Sequence, residues 1–182
     1  MSLPVSSGAG DTDSKRAAIV GLYESHFERV VRYIAARTGA GADAEDLASE
    51  VFLRALRSAG SFTETGAPLE AWLFRIARNI SVDYFRRKSV RPANVPLDEQ
   101  LPLEDPDSPS DEVDRQEEVR LLEQAMSQLS EAQRDVLALR FGSQMTSQQA
   151  AAVLGKKPSA VREMQSAAIK RLRDIMRDQE NG

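Results

Sequence analysis

The chain has no cysteine and a single histidine, His26. Disulfides and thiolate metal sites are therefore excluded, and one imidazole gives no basis for a histidine-built zinc or catalytic centre. No apolar run approaches the roughly 18 residues that a membrane span needs, so membrane insertion is not expected. The opening stretch, Met1 to Gly10, is uncharged and rich in Ser and Gly. A signal peptide would pair a basic start with an apolar stretch, so a cytoplasmic location is expected. A Gly-rich phosphate loop, a Ser/His/Asp set and a metal-ligand cluster are all missing. No catalytic residue, no metal and no cofactor is assigned, because chemical turnover demands placed groups of those kinds.

What is present is a pattern of charge. The net charge of −4 over 182 residues argues against a general nucleic-acid binder, but the average conceals three blocks. Residues 75–91 hold six Arg/Lys and one acid, residues 92–118 hold ten acids and one Arg, and residues 156–177 hold seven Arg/Lys and two acids. The acidic block carries Pro92, Pro96, Pro102, Pro106 and Pro109. Proline removes a backbone donor and holds its predecessor extended, and like charges favour extension. Residues 91–114 are therefore read as a flexible acidic linker between two modules, residues 13–90 and 115–178. Residues 1–12 are expected to be disordered.

Both modules read as helical, giving an all-α fold of two small domains. Ile19, Leu22, Tyr23, Phe27, Val30, Val31 and Ile34 have the spacing of a helix with one buried face, over Asp13 to Arg37. A second helix is predicted from Asp43 to about Ala59, with acids in the first turn where the helix dipole favours them. Gly60 to Ala67 reads as a loop. A third helix follows Pro68 and runs to about Lys88, with a stripe of Leu69, Leu73, Ile76, Ile80 and Tyr84. In the second module, residues 115–128 form one helix. Ser130 with Gln133 and Thr146 with Gln149 are capping-box patterns that open two more. Gly142 and Gly155 end those, and Pro158 opens the last, which runs to about Arg177.

Thr146 to Arg173 has the layout of a helix-turn-helix: a short Ala-rich helix, a glycine turn and a longer helix with a basic face. On the last helix Val161, Met164, Ala168, Leu172 and Met176 form the inner side. Ser159, Arg162, Glu163, Ser166 and Lys170 share the opposite stripe. Arg162, Glu163 and Ser166 carry the donor and acceptor chemistry of base edges, while Lys170, Arg171 and Arg173 suit phosphates. Spacing alone describes an ordinary helical hairpin with a solvated face equally well.

Four segments resemble one known family. Thr146–Met176 (TSQQAAAVLGKKPSAVREMQSAAIKRLRDIM) and Leu129–Phe141 (LSEAQRDVLALRF) are similar to region 4 of the sigma-70 family, and in particular of its small extracytoplasmic-function members. Asp43–Leu56 (DAEDLASEVFLRAL) resembles region 2.2, and Ala71–Ser89 (AWLFRIARNISVDYFRRKS) resembles regions 2.3 and 2.4. The segments stand in family order with an acidic linker between them. The resemblance implies a transcription initiation factor whose partners are core RNA polymerase, promoter DNA and an anti-sigma factor.

Carried over residue by residue, it implies polymerase binding by Asp46, Ser49, Glu50 and Phe52; Ser49 departs from the Gln usual there. It implies reading of the minus-ten element by the third helix, through Trp72, Arg75, Arg78, Asn79, Asp83, Arg86 and Arg87. Binding a separated strand needs cations along the backbone and planar groups for bases, which this set supplies. Trp72 fits a base-stacking role or core packing. The Ser61–Ala67 loop matches a base-capturing loop. The minus-thirty-five element falls to Ser159, Arg162, Glu163, Ser166, Lys170 and Arg171. Lys157, Ala167 and Ile169 depart from the family pattern there. Since Lys is a poor N-cap, Ser159 is expected to open the last helix instead. An autonomous helix-turn-helix regulator remains the alternative, although it has no need of the basic block at 75–91.

Overall fold

Three helices build the first module: α1 (Ser7–Thr38), α2 (Gly41–Arg57) and α3 (Leu69–Val90), with a 3-10 turn at Ala59–Ser61. The computed structural model describes residues 7–39, 41–63, 66–90 and 109–180, and places side chains over 10–39, 43–63, 66–87 and 118–179. On α2, Ala44, Ala48, Val51, Phe52 and Ala55 are buried. Their separations of three and four residues make one stripe, and the small alanines let α1 and α3 pack close. Ile19, Val30 and Ile34 of α1 and Leu73 and Ile80 of α3 meet that stripe, as their spacing predicts.

The second module comprises α4 (Pro109–Ser127), α5 (Glu131–Leu137), a π-helical turn (Ala138–Gly142), α6 (Ser147–Leu154) and α7 (Pro158–Glu180). Both capping boxes form. Ser130 Oγ accepts from Gln133 N and Gln133 Oε1 from Ser130 N, and Thr146 and Gln149 repeat the exchange at 3.2 and 2.9 Å. Removing one cap oxygen leaves an N–H without its partner. Thr146→Ala is therefore expected to cost about 1 kcal/mol, read as a lower urea midpoint at unchanged slope.

The helix after α5 widens because Ser143 N reaches back to Ala138 O at 2.9 Å, a five-residue step. Gly155 then adopts φ +64 at the end of α6, and Lys156 N bonds Ala151 O at 3.0 Å. This left-handed glycine cap aims α7 away from α6.

Three boundaries differ from expectation. The first helix begins at Ser7, so residues 7–12 are helical where disorder was expected. Its first turns are held by packing: Thr12 lies against Gly60, and Lys15 pairs with Asp11 at 2.5 Å. Secondly, α4 begins at Pro109 and takes in residues assigned to the linker. Proline is tolerated in a first turn, where its missing N–H has no intrahelical acceptor to lose. Residues 91–108 of the linker and the first six of the chain lie outside the described residues. Thirdly, α7 begins at Pro158, where the proline pattern puts it, and not at Ser159; Val161 N bonds Lys157 O at 3.1 Å. Lys157 is thus the capping position and Ser159 is inside the helix, because the fixed φ of Pro158 sets the start.

The two modules share one core. α5 and the π turn lie on α1, and α6 lies on α3. A Cβ on Gly142 would meet Arg32 O at 3.0 Å and Ala36 Cβ at 3.1 Å, so the approach of the π turn to α1 depends on its glycine. Among the described residues there is no strand, and no helix is long and apolar enough to cross a membrane.

Candidate nucleic-acid interface

On α7 the inner side is filled by Val161, Ala168 and Ile175, all buried, with Met164, Leu172 and Met176 half-buried beside them. The opposite side therefore faces solvent. Ser159, Arg162, Glu163, Ser166, Lys170 and Arg171 are all exposed. The first four line one shallow open hollow of about 450 Å³. Arg140 braces this helix, donating from Nε to Gln165 Oε1 at 2.7 Å and from its other end to the Met145 carbonyl. Ile169, one of the departures from the family pattern, packs against the core, so it takes nothing from the exposed side of α7. Ala167 is exposed and leaves that face less polar.

On α3 the seven candidates divide. Asn79, Asp83, Arg86 and Arg87 are exposed. Trp72 is half-buried and packs with its ring 5.4 Å from that of Phe62. Arg75 and Arg78 are engaged by the second module. Arg75 donates to the carbonyls of Ala152 at 2.6 Å and Val153 at 3.2 Å. Arg78 donates to Asp135 at 2.5 Å and Glu131 at 3.2 Å. In the Ser61–Ala67 loop, Phe62 is buried and Gly66 has φ +81, while Glu64 and Thr65 lie outside the described residues. Between that loop and the first turns of α1 is a hollow of about 490 Å³, reached by Ser14, Lys15, Phe62 and Pro68.

On α2, Asp46 and Ser49 are exposed and Glu50 is half-buried in an ion pair with Arg54 at 3.1 Å. Ser49 Oγ donates to Glu45 O at 3.0 Å. Phe52 departs from expectation: it is 4% exposed, with its ring 5.0 Å from Tyr23 and 6.1 Å from Phe27. It shapes the α2 surface from beneath and is not itself on it.

Sequence reasoning missed a buried polar cluster at the junction of the modules. Asp135 is 1% exposed; it accepts from Tyr33 Oη at 3.3 Å and from Arg78, and it forms an ion pair with Arg37, whose own side chain is 4% exposed. One signal was available. Asp135 lies three residues before Ala138 and four before Leu139, which puts an acid on an apolar stripe. Burial lowers the pKa of Arg37 from the usual guanidinium value. Burial also pushes the Tyr33 phenol up to about 12. Tyr84, whose hydroxyl donates to Asp43 at 2.6 Å and so ties α3 to α2, is pushed up to about 12 by burial and then by that bond.

Both folded values lie above the unfolded phenol value of roughly 10, so the neutral phenols stabilise the fold. That contribution is complete below pH 10 and is lost as pH rises from about 10 through about 12. An alkaline titration is expected to show Tyr33 and Tyr84, two of three tyrosines, ionising together with loss of helical circular dichroism. Ionisation of both near pH 10 with helices intact would contradict this.

The family profile for Sigma-70 region 2 matches residues 22–91, and that for Sigma-70, region 4 matches residues 125–174. The chain is 36% identical over 171 residues to the ECF RNA polymerase sigma factor BldN of Streptomyces coelicolor, covering 93% of this chain and 63% of that protein. It is 31% identical over 165 residues to the ECF RNA polymerase sigma factor SigL of Mycobacterium tuberculosis, covering 91% and 92%. Among solved structures, CnrH in complex with the cytosolic domain of CnrY superposes with TM-score 0.66 at 22% identity, over 94% of this chain and 95% of that one. RpoE in complex with the anti-sigma factor NepR, from Bartonella quintana, superposes with TM-score 0.58 at 21% identity, over 88% and 97%. The chain belongs to the sigma-70 family and is an extracytoplasmic-function sigma factor carrying regions 2 and 4.

Proposed function

We propose that the chain directs core RNA polymerase to specific promoters, acting in the cytoplasm as a binding subunit and not as an enzyme. In this reading residues 13–90 form the polymerase-binding and minus-ten module, and residues 115–178 form the minus-thirty-five module. The observation that carries it is α7. Its inner side is packed into the core, and its outer side lines up Ser159, Arg162, Glu163 and Ser166 on an open face near its N-terminus. A major groove admits one helix, and side chains near its N-terminal end reach base edges. Lys170 and Arg171 lie further along, where phosphates pass.

The minus-ten strand falls to α3. Arg75, Arg78, Arg86 and Arg87 supply cations for its backbone, Asn79 and Asp83 face the bases, and the half-buried ring of Trp72 offers a stacking surface. On α2, Asp46, Ser49 and Glu50 present acid and hydroxyl groups to a basic polymerase surface, with Phe52 supporting them from the core. An autonomous regulator has no use for this second basic helix.

An anti-sigma factor is the third proposed partner. Its support is the likeness of fold to RpoE, solved with the anti-sigma factor NepR.

Polymerase binding is tested by size-exclusion of the chain with core enzyme. Asp46→Arg with Glu50→Arg is expected to drop out of the core fraction, with circular dichroism unchanged. Co-elution of that double variant would remove α2 as the docking helix.

A further inference from the structure

The selectivity of a helix laid in a groove depends on its rotation about its own axis. At a radius of about 5–6 Å, a turn of roughly 20° moves a surface group by about 2 Å. Donor and acceptor in a hydrogen bond span a range of only about 0.5 Å. Near the start of α7 the apolar side fixes that rotation weakly. Val161 and Ala168 are the buried residues there, and both side chains are short. The half-buried Met164 between them is a flexible filler.

A polar contact supplies what this packing lacks. Arg140 is half-buried beside α7 and donates from Nε to Oε1 of the half-buried Gln165 at 2.7 Å. Its other end donates to the Met145 carbonyl. A guanidinium is a planar fork that holds two acceptors in fixed directions, so the contact behaves as a strut. On α7 the strut meets the residue three after Arg162 and one before Ser166.

The backbone behind the strut is itself tied down. In the π turn Ser143 N bonds Ala138 O at 2.9 Å, and Ser143 Oγ donates to Leu139 O at 2.8 Å. Met145 N returns to Leu139 O at 3.0 Å, by way of Gln144 at φ +55. That left-handed conformation is uncommon for a residue other than glycine, and here the bonds on either side hold it. Met145 is buried, and Thr146 directly after it caps α6. Arg140 thus joins α7 to the turn that also opens the first helix of the pair.

We propose that Arg140 is a positioning residue for the upstream element: acting through Gln165, it sets the rotation of α7 and so the alignment of Arg162 and Ser166 on base edges. The proposal rests on the reading of α7 given above. Arg140 itself touches neither base nor phosphate in this role, unlike the exposed Lys170.

Two changes cut the strut at opposite ends. Gln165→Ala removes the acceptor on α7 and leaves the bond to Met145 in place. Arg140→Lys keeps the positive charge and removes the fork. Each full-length variant, its folding checked by circular dichroism, is assayed with core polymerase by competition between promoters that differ at single upstream positions, over a range of salt. Both are expected to lower discrimination about fivefold at the positions that Arg162→Ala identifies, the low end of what a bidentate contact gives. The slope of log affinity against log salt should stay that of the unaltered chain, because no phosphate contact is lost. The double variant should lose no more than either single one, since both break the same contact. Gln165→Glu keeps the acceptor oxygens and should discriminate like the unaltered chain.

A lower melting temperature with the pattern of preference intact would overturn the proposal, as would additive losses in the double variant. If Arg140→Lys alone behaved normally, the charge and not the fork would matter, and Arg140 would be a phosphate contact. Discrimination kept by Gln165→Ala but erased by Arg162→Ala would overturn the strut and spare the reading of α7. If Arg162→Ala erased nothing, that reading would fall and the proposal with it.

Discussion

Replacing Asp135 by alanine is expected to lower the free energy of unfolding by about 3–5 kcal/mol, the range for breaking a buried ion pair from one side. The size follows from what is left behind. Arg78 has a side chain 36% exposed and can turn to water. Arg37, at 4%, cannot, and Tyr33 loses the acceptor of its hydroxyl. Urea unfolding followed by circular dichroism measures the loss.

A double variant separates the cost of a stranded charge from the worth of the pair. Asp135→Leu with Arg37→Met replaces both ions by apolar groups and should recover most of the stability, because buried pairs gain little net energy over well-packed hydrophobes. A single-site loss below about 1 kcal/mol would mean that Arg37 finds water, contrary to its burial.

This cluster also shows where a sequence stops being legible. Features decided by neighbouring residues were readable. Thr146 and Gln149 cap each other within one turn, Gly155 needs only its own φ, and the α2 stripe is visible because one side of that helix is buried. Features decided by the meeting of the modules were not. Tyr33 and Phe74 are fully buried yet fall outside the stripes read from spacing: Tyr33 meets Asp135 of the second module, and the Phe74 ring packs edge-on against Tyr33. Phe52 was assigned to a surface on family resemblance, although its stripe with Ala48, Val51 and Ala55 points inward. Arg75 and Arg78 were recognised by type and spacing. That they are held by α6 and Asp135 depends on contacts some 57 to 78 residues distant in sequence, which periodicity does not encode.

The second large effect concerns specificity. Arg162→Ala is expected to erase discrimination at one base pair of the upstream element, by about five- to hundredfold, since a bidentate arginine contact supplies roughly 1–3 kcal/mol. Lys170→Ala should instead weaken all promoters alike and shallow the salt dependence by about one phosphate's worth. The contrast follows from position: Arg162 lies on the hollowed face near the start of α7, and Lys170 two turns on. Competition between promoters differing at single upstream positions reads both. Equal losses across all sequences for Arg162→Ala would shift the reading register along the helix.

The central claim is that this chain gives core polymerase its choice of promoter. It is tested most directly by reconstituted transcription from genomic fragments, with start sites mapped for core enzyme alone and for core enzyme with the chain. The expected result is a new, discrete set of starts that share sequence at both elements and that redistribute with Arg162→Ala. The same starts with and without the chain would contradict it.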